Sequence, residues 1–140
     1  MNDNYTIWQN SAKNPYTALM VPVEETLHIS LREHTQQAIL ESLEKEEVQG
    51  LKGARKIVED WVSVEEGIVG GLVHSLMPRI LDNYLDNIPS LLVEKDLTTK
   101  SQLIKYRYLK RGIEVVEDLG CQKALHLYKT DPSKFRDMLI

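Results

Sequence analysis

The chain has 140 residues, of which 42% are hydrophobic and 27% charged, with a formal net charge of −4. That size and balance fit one soluble globular domain that folds without staples, and the net acidity excludes a surface coated for nucleic acid while leaving room for a local basic patch. The single cysteine, Cys121, excludes an intramolecular disulfide and fits a reducing compartment.

The opening stretch MNDNYTIWQNSAKNPY is polar and has no apolar leader, which gives the expectation of an intracellular, non-membrane protein, cytoplasmic or part of a virion. Residues 1–22 show neither helical nor alternating periodicity, and Asn14, Pro15 and Pro22 favour turns or extended backbone. They are read as an extended arm. Tyr5, Trp8 and Tyr16 give that arm three aromatic anchors for its own body or for a neighbouring subunit.

From Val23 to about Val48 the pattern predicts a long helix that ends near Gly50, with Glu24 and Glu25 in its first turn, where the helix dipole favours anions. Its apolar residues fall in two stripes. Val23, Leu27, Leu31 and Ala38 make one, and Ile29, Ile39, Leu40 and Leu43 the other. Two stripes need two covers, and a partner subunit is the expected cover of the second. Leu51 to Val62 then reads as a separate amphipathic helix, with Trp61 plugging the corner that follows it.

The next stretch, SVEEGIVGGLVHSLMPRILDNYLDNI, carries the longest apolar run in the chain. Ser63 and Glu66 have capping-box spacing, so a new helix is expected to open at Ser63. At 100° per residue, Ile68, Val69, Leu72, Val73, Leu76 and Met77 fill one arc. Gly67, Gly71, His74 and Pro78 form a row on the other side, with Gly70 beside them. Three glycines set roughly 3 kcal/mol against helix formation, and close approach of another backbone is the physical compensation. Pro78 is expected to kink or break the helix near Met77, and the stripe resumes from Ile80 to Ile88.

Thr99 and Gln102 form a second capping box, opening a helix predicted to run to Leu119 and stop at Gly120. Its exposed face carries bases early (Lys100, Arg107, Lys110, Arg111) and acids late (Glu114, Glu117, Asp118), the reverse of what the helix dipole prefers. A short helix from Cys121 to Lys129 follows. Asp131 and Pro132 are then N-cap and first residue of a last helix to Leu139, and Ile140 leaves the C-terminus apolar.

Signals for chemistry are weak. Glu25 and His28 have the Glu-x-x-His spacing of carboxylate-bridged metal bundles, but no second copy exists. The glycines lack the lysine of a phosphate loop, and Cys121 has no histidine and acid beside it. His74 on the glycine row reads as a buried, satisfied histidine, His34 likewise, and His28 and His126 as surface residues. No cofactor or metal is expected.

These observations predict an all-α fold: an irregular bundle of about five or six helices over residues 23–140, with the extended N-terminal arm ahead of it. The expected function is a non-catalytic assembly or adaptor protein, a homo-oligomer or part of a multi-subunit complex such as a virion. Tyr5, Trp8, Tyr16, Ile29, Leu40, Leu43 and Ile140 would reach the partner protein, and Gly67, Gly70, Gly71 and His74 would form the close-packing seam. One alternative is a nucleic-acid-binding accessory protein using Lys100, Lys105, Arg107, Lys110 and Arg111, with Tyr106 and Tyr108 between them. Another is a small helical enzyme with a site near His74.

Overall fold

The computed structural model describes residues 15–46, 50–82 and 99–140, and the side chains of residues 20–46, 50–80 and 99–140. Among these residues the chain is helical apart from short turns and caps, an all-α bundle. The helices are α1 (Pro15–Lys45), α2 (Gly50–Asp82), α3 (Lys100–Lys105), α4 (Leu109–Leu119), α5 (Cys121–Thr130) and α6 (Pro132–Leu139).

Three boundaries differ from expectation, each for a local reason. Helix α1 begins at Pro15, so residues 15–22 assigned to the extended arm are helical. Proline is well suited to a first helical position, and Pro22 is held inside the helix, where its carbonyl accepts from Thr26 Oγ1 at 2.7 Å. Residues 1–14, with Tyr5 and Trp8, lie outside the described residues, as does the side chain of Tyr16.

The second difference is that one helix of 33 residues, α2, replaces the two predicted around Ser63. Ser63 is not a cap. It is buried in mid-helix, where its hydroxyl lies 2.8 Å from Glu59 O and 3.1 Å from Ile104 O, so the Ser63–Glu66 spacing is a coincidence of two residues each engaged elsewhere. Trp61 accordingly fills no corner; it packs in the core from the middle of α2 and donates from Nε1 to Ser42 Oγ at 2.9 Å. Nor does Pro78 break the helix, which continues to Asp82. The stripe expected around Tyr84 to Ile88 lies outside the described residues.

The third is a break in the single helix predicted from Thr99 to Leu119. The Thr99–Gln102 capping box forms with both of its hydrogen bonds, but α3 stops at Lys105 and α4 starts at Leu109. The last two helices match the reading closely, with Asp131 capping Lys134 N at 3.0 Å and Pro132 in the first turn of α6.

Helices α1 and α2 are antiparallel: Ser42 meets Trp61, Thr35 meets Glu65 and His28 meets Glu65 and Glu66. Along the opposite side of α2, the α3–α4 segment runs parallel to it, Ser63 meeting Ile104, Gly67 Tyr108, Gly71 Gly112 and His74 Glu117. Helices α5 and α6 pack across the middle of α1 and α2, Tyr128 meeting Thr35, Arg136 meeting Asp60 and Leu139 lying against Gly67. The core is Leu31 of α1, Val64, Ile68, Leu72 and Met77 of α2, Val115 and Val116 of α4, and Tyr128 and Phe135, whose rings meet edge to face at 5.6 Å. Each such side chain contributes roughly 1.5–3 kcal/mol by leaving water.

Candidate functional site

The glycine row of α2 faces α4. A Cβ on Gly71 would meet the carbonyl of Gly112, and a Cβ on Gly112 would collide with the backbone of Gly67. The two backbones therefore touch with no side chain between them, and Gly67, Gly71 and Gly112 are the residues that permit it. Gly70 lies against the end of the Leu109 side chain instead. His74, next along the row, places Nε2 3.3 Å from Glu117 Oε1, while its Nδ1 is buried and has no hydrogen-bond partner among the described residues.

On the other side of α2 a polar cluster is built between α1, α2, α3 and α5. His28 Nδ1 lies 2.6 Å from Glu65 Oε1, and its Nε2 is 3.5 Å from Glu66 Oε2. With a carboxylate at each nitrogen, the imidazole is held as the doubly protonated cation. Burial pulls its pKa down, but the hydrogen bonds it donates to Glu65 and Glu66 and their negative charge outweigh it and raise the value to about 9. Burial likewise opposes the charge on Glu66, yet His28 and Lys105, whose Nζ is 3.0 Å away, hold its carboxyl below the ordinary range.

The second oxygen of Glu65 accepts from Thr35 Oγ1, which also lies 2.8 Å from Tyr128 OH. Because Thr35 has one hydrogen, given to the carboxylate, Tyr128 donates to Thr35 and the three groups form a directed chain. Burial keeps the Tyr128 phenol protonated well above its usual range. Two cations and two carboxylates thus cancel, and no group in the cluster is left as a free base.

A second knot joins α2 to the C-terminal helices. The Asp60 carboxylate accepts from Arg107 Nη2 on one oxygen, from Tyr108 OH at 3.0 Å on the same oxygen, and from Arg136 Nε at 2.6 Å on the other. Burial would raise its pKa, but the two arginines hold it below the ordinary value.

These contacts decide how the basic stretch is used. Lys105 is tied to Glu66, Arg107 to Asp60, and Arg111 to Glu114 Oε2 at 2.9 Å and Met138 O at 3.1 Å. Tyr108 points its hydroxyl at Asp60. Lys100 and Lys110 alone of the five have no carboxylate partner among the described residues, and the break at Tyr106–Tyr108 divides the five, with Lys100 and Lys105 on α3, Arg107 in the break, and Lys110 and Arg111 on α4. The charge order that runs against the helix dipole now has its cause: the early bases meet Asp60 and Glu66 of α2, and the late acid Glu117 meets His74.

Of the expected partner-binding residues, Ile29 is 68% exposed, Leu40 56% and Ile140 74%, while Leu43 is half-buried. Ile39 leaves the second stripe and packs against the core. A further apolar surface was not anticipated. Leu51, Val58 and Val62 run along one side of α2 and remain exposed, as do Leu103 and Ile104 of α3. Val58, Val62 and Ile104 line a groove of about 440 Å³, with Arg55, Lys100 and Lys105 among its charged lining. An adjoining groove of about 410 Å³ shares Val62 and Lys105 and adds Gln36 and Ile39 of α1.

His28, read as a surface residue, is the clearest omission. The signal was present, since His28 and Thr35 are seven residues apart at the edge of the first apolar stripe, where a polar side chain needs a partner. Leu51, Val58 and Val62 also stand at helical spacing on the apolar face of the predicted amphipathic helix, but exposure cannot be read from periodicity.

Among the described residues no three histidine, cysteine, aspartate or glutamate side chains form a group able to hold a metal ion, and no helix is long and apolar enough to cross a membrane. Comparison of the chain with protein-family models, curated proteins and solved structures finds no match.

Proposed function

We propose that this protein is a non-catalytic helical adaptor that binds another polypeptide through the apolar surface shared by α2 and α3. The observation that carries this reading is the exposed row of Leu51, Val58 and Val62 beside Leu103 and Ile104, at a position where the nearby Lys105 and Arg107 are already paired with Glu66 and Asp60. A contiguous apolar surface with a polar rim is what a docking site presents to a partner. The neutralised His28 cluster supports binding over catalysis, because its histidine is held as a cation and its carboxylates are both engaged. A homo-oligomer or a larger assembly, such as a virion, is the setting that suits such a surface.

The reading is tested by capture on the immobilised full chain, comparing wild type with the Val58→Asp/Ile104→Asp variant. A polypeptide retained in stoichiometric amount by the first and lost from the second supports it. Equal retention by both, or retention by neither, overturns it.

A further inference from the structure

Resting on that reading, we propose that the partner segment is an acidic amphipathic helix of another polypeptide, which seats its apolar face in the groove between α2 and α3. The groove has an apolar floor and a cationic rim. On α2, Arg55, Val58, Glu59 and Val62 fall at the i, i+3, i+4 and i+7 positions of one helix face, and all four are exposed. On α3, Lys100, Ser101, Ile104 and Lys105 line the facing wall and are exposed as well. Ser63, the polar side chain between the walls, is buried with its hydroxyl engaged by Glu59 O and Ile104 O, so Val58, Val62 and Ile104 are what the floor offers.

The charges around that floor are unequal. Three cations, Arg55, Lys100 and Lys105, share the groove with one carboxylate, Glu59, in a chain whose net charge is −4. Lys105 is held by Glu66. Lys100 has no ion-pair partner among the described residues. Arg55 pairs with Glu59 one turn on, and with side chains 81% and 48% exposed that pair is weak enough to exchange for another. The adjoining groove does not reverse the balance: its Arg32 and Glu25, both exposed and without ion-pair partners among the described residues, offset one another, and its His28, Glu65 and Glu66 form the neutral cluster with Lys105.

The register of the two walls sets where these charges stand. Ser63 lies opposite Ile104 and α3 runs parallel to α2, so Lys100 falls at the end of the groove that holds Arg55, while Lys105 lies toward Glu66 at the other. The apolar floor therefore has cations at both ends. A helix laid along it contacts the span from Arg55 to Val62 over about two turns, roughly 10 Å, with apolar residues on the floor and carboxylates flanking them. Both walls are helices, whose backbone groups are bonded internally, so they offer no edge to an extended strand and the occupant must satisfy its own backbone. A second copy laid on this groove by a two-fold rotation would set cation against cation.

The test is fluorescence anisotropy of the full chain with a labelled synthetic helix of about 20 residues, carrying leucine at i, i+3, i+4 and i+7 and glutamate on either side, against the same peptide with lysine for every glutamate. Wild type is expected to bind the acidic peptide about tenfold more tightly than the basic one, a preference that shrinks as salt is added. Arg55→Glu/Lys100→Glu, at two exposed positions, is expected to keep its helical circular dichroism and reverse the preference, and Val58→Asp/Ile104→Asp to lose binding of the acidic peptide. Equal binding of the two peptides, or a preference unchanged in Arg55→Glu/Lys100→Glu, overturns the proposal; if Val58→Asp/Ile104→Asp then abolishes both, the groove remains a docking surface and the adaptor reading stands. Binding of neither peptide also overturns it and leaves the adaptor reading to the capture experiment. So does a wild type that is dimeric by light scattering and monomeric as Val58→Asp/Ile104→Asp, which assigns the groove to a second copy.

Discussion

Raising the pH from 6 to 9 should cost this protein about 3 kcal/mol of stability through one side chain, His28. In the folded state its imidazole is held protonated between Glu65 and Glu66 with a pKa of about 9, against the ordinary 6.5. Because the folded value is the higher one, the stabilisation is fully present below the unfolded pKa and is lost as the pH climbs through the folded one. Each pKa unit is worth 1.36 kcal/mol, so the whole effect is about 3 kcal/mol, and most of it disappears between pH 6.5 and 9. Urea unfolding followed by circular dichroism at fixed pH values measures it. The His28→Gln variant should be less stable than wild type by about 3 kcal/mol at pH 6, since it leaves Glu65 without its cation, and its stability should be nearly flat over the same window. Wild type and variant falling in parallel between pH 6 and 9 would refute the account, and so would a resonance assigned to His28, by its loss in His28→Gln, titrating near 6.5 in the folded protein.

The glycine seam predicts a ranking: Gly112→Ala and Gly71→Ala should each cost about 3 kcal/mol or more, because the new methyl meets backbone, whereas Gly70→Ala meets only the movable end of Leu109 and should be near neutral; thermal melts of the three give the order. Asp60→Asn should lower stability by about 2 kcal/mol at pH 7 by weakening the hold on Arg107 and Arg136. Since the pKa of Asp60 is depressed in the fold, its contribution is present above the unfolded value and lost in acid, so the variant should also show a shallower loss of stability below pH 4. Thr35→Val should cost about 1–3 kcal/mol by leaving Glu65 and Tyr128 short of a partner, while Thr35→Ser should recover most of it in the same denaturation assay.

The helical class of this chain, and the ends of its last two helices, followed from local rules, because Gly120, Asp131 and Pro132 act on their immediate neighbours. The run through Ser63 did not. There a capping-box spacing competed with an apolar stripe that passes through Ser63, and the part of it buried from Trp61 to Met77 prevailed because packing against α1 and α4 outweighs a cap. The α3–α4 break escaped notice for the opposite reason: Tyr106 and Tyr108 fit the apolar arc of one helix, and what interrupts it is the tertiary pull of Asp60 on Arg107 and Tyr108. The glycine row announced that some backbone comes close, but nothing in its spacing named Gly112 as the residue opposite. The His28 cluster draws on four helices: the spacing of His28 and Thr35 shows that polar side chains at the stripe's edge need partners, but nothing in the sequence names Glu65, Glu66, Lys105 and Tyr128 as those partners.

The crossing of α2 and α4 also acts as a locating notch. Sliding α4 by one residue along α2 would bring Arg111 or Ile113 to the place of Gly112, where even a methyl has no room, so the helix has a single seat. The positions of everything attached to α4, from Tyr108 at its start to the α5–α6 hairpin beyond it, are set by a dimension of backbone and not by the looser fit of side chains. Substitutions that soften the greasy interior should therefore loosen the molecule without shifting its parts against one another, while one added carbon at the notch should displace the whole C-terminal third.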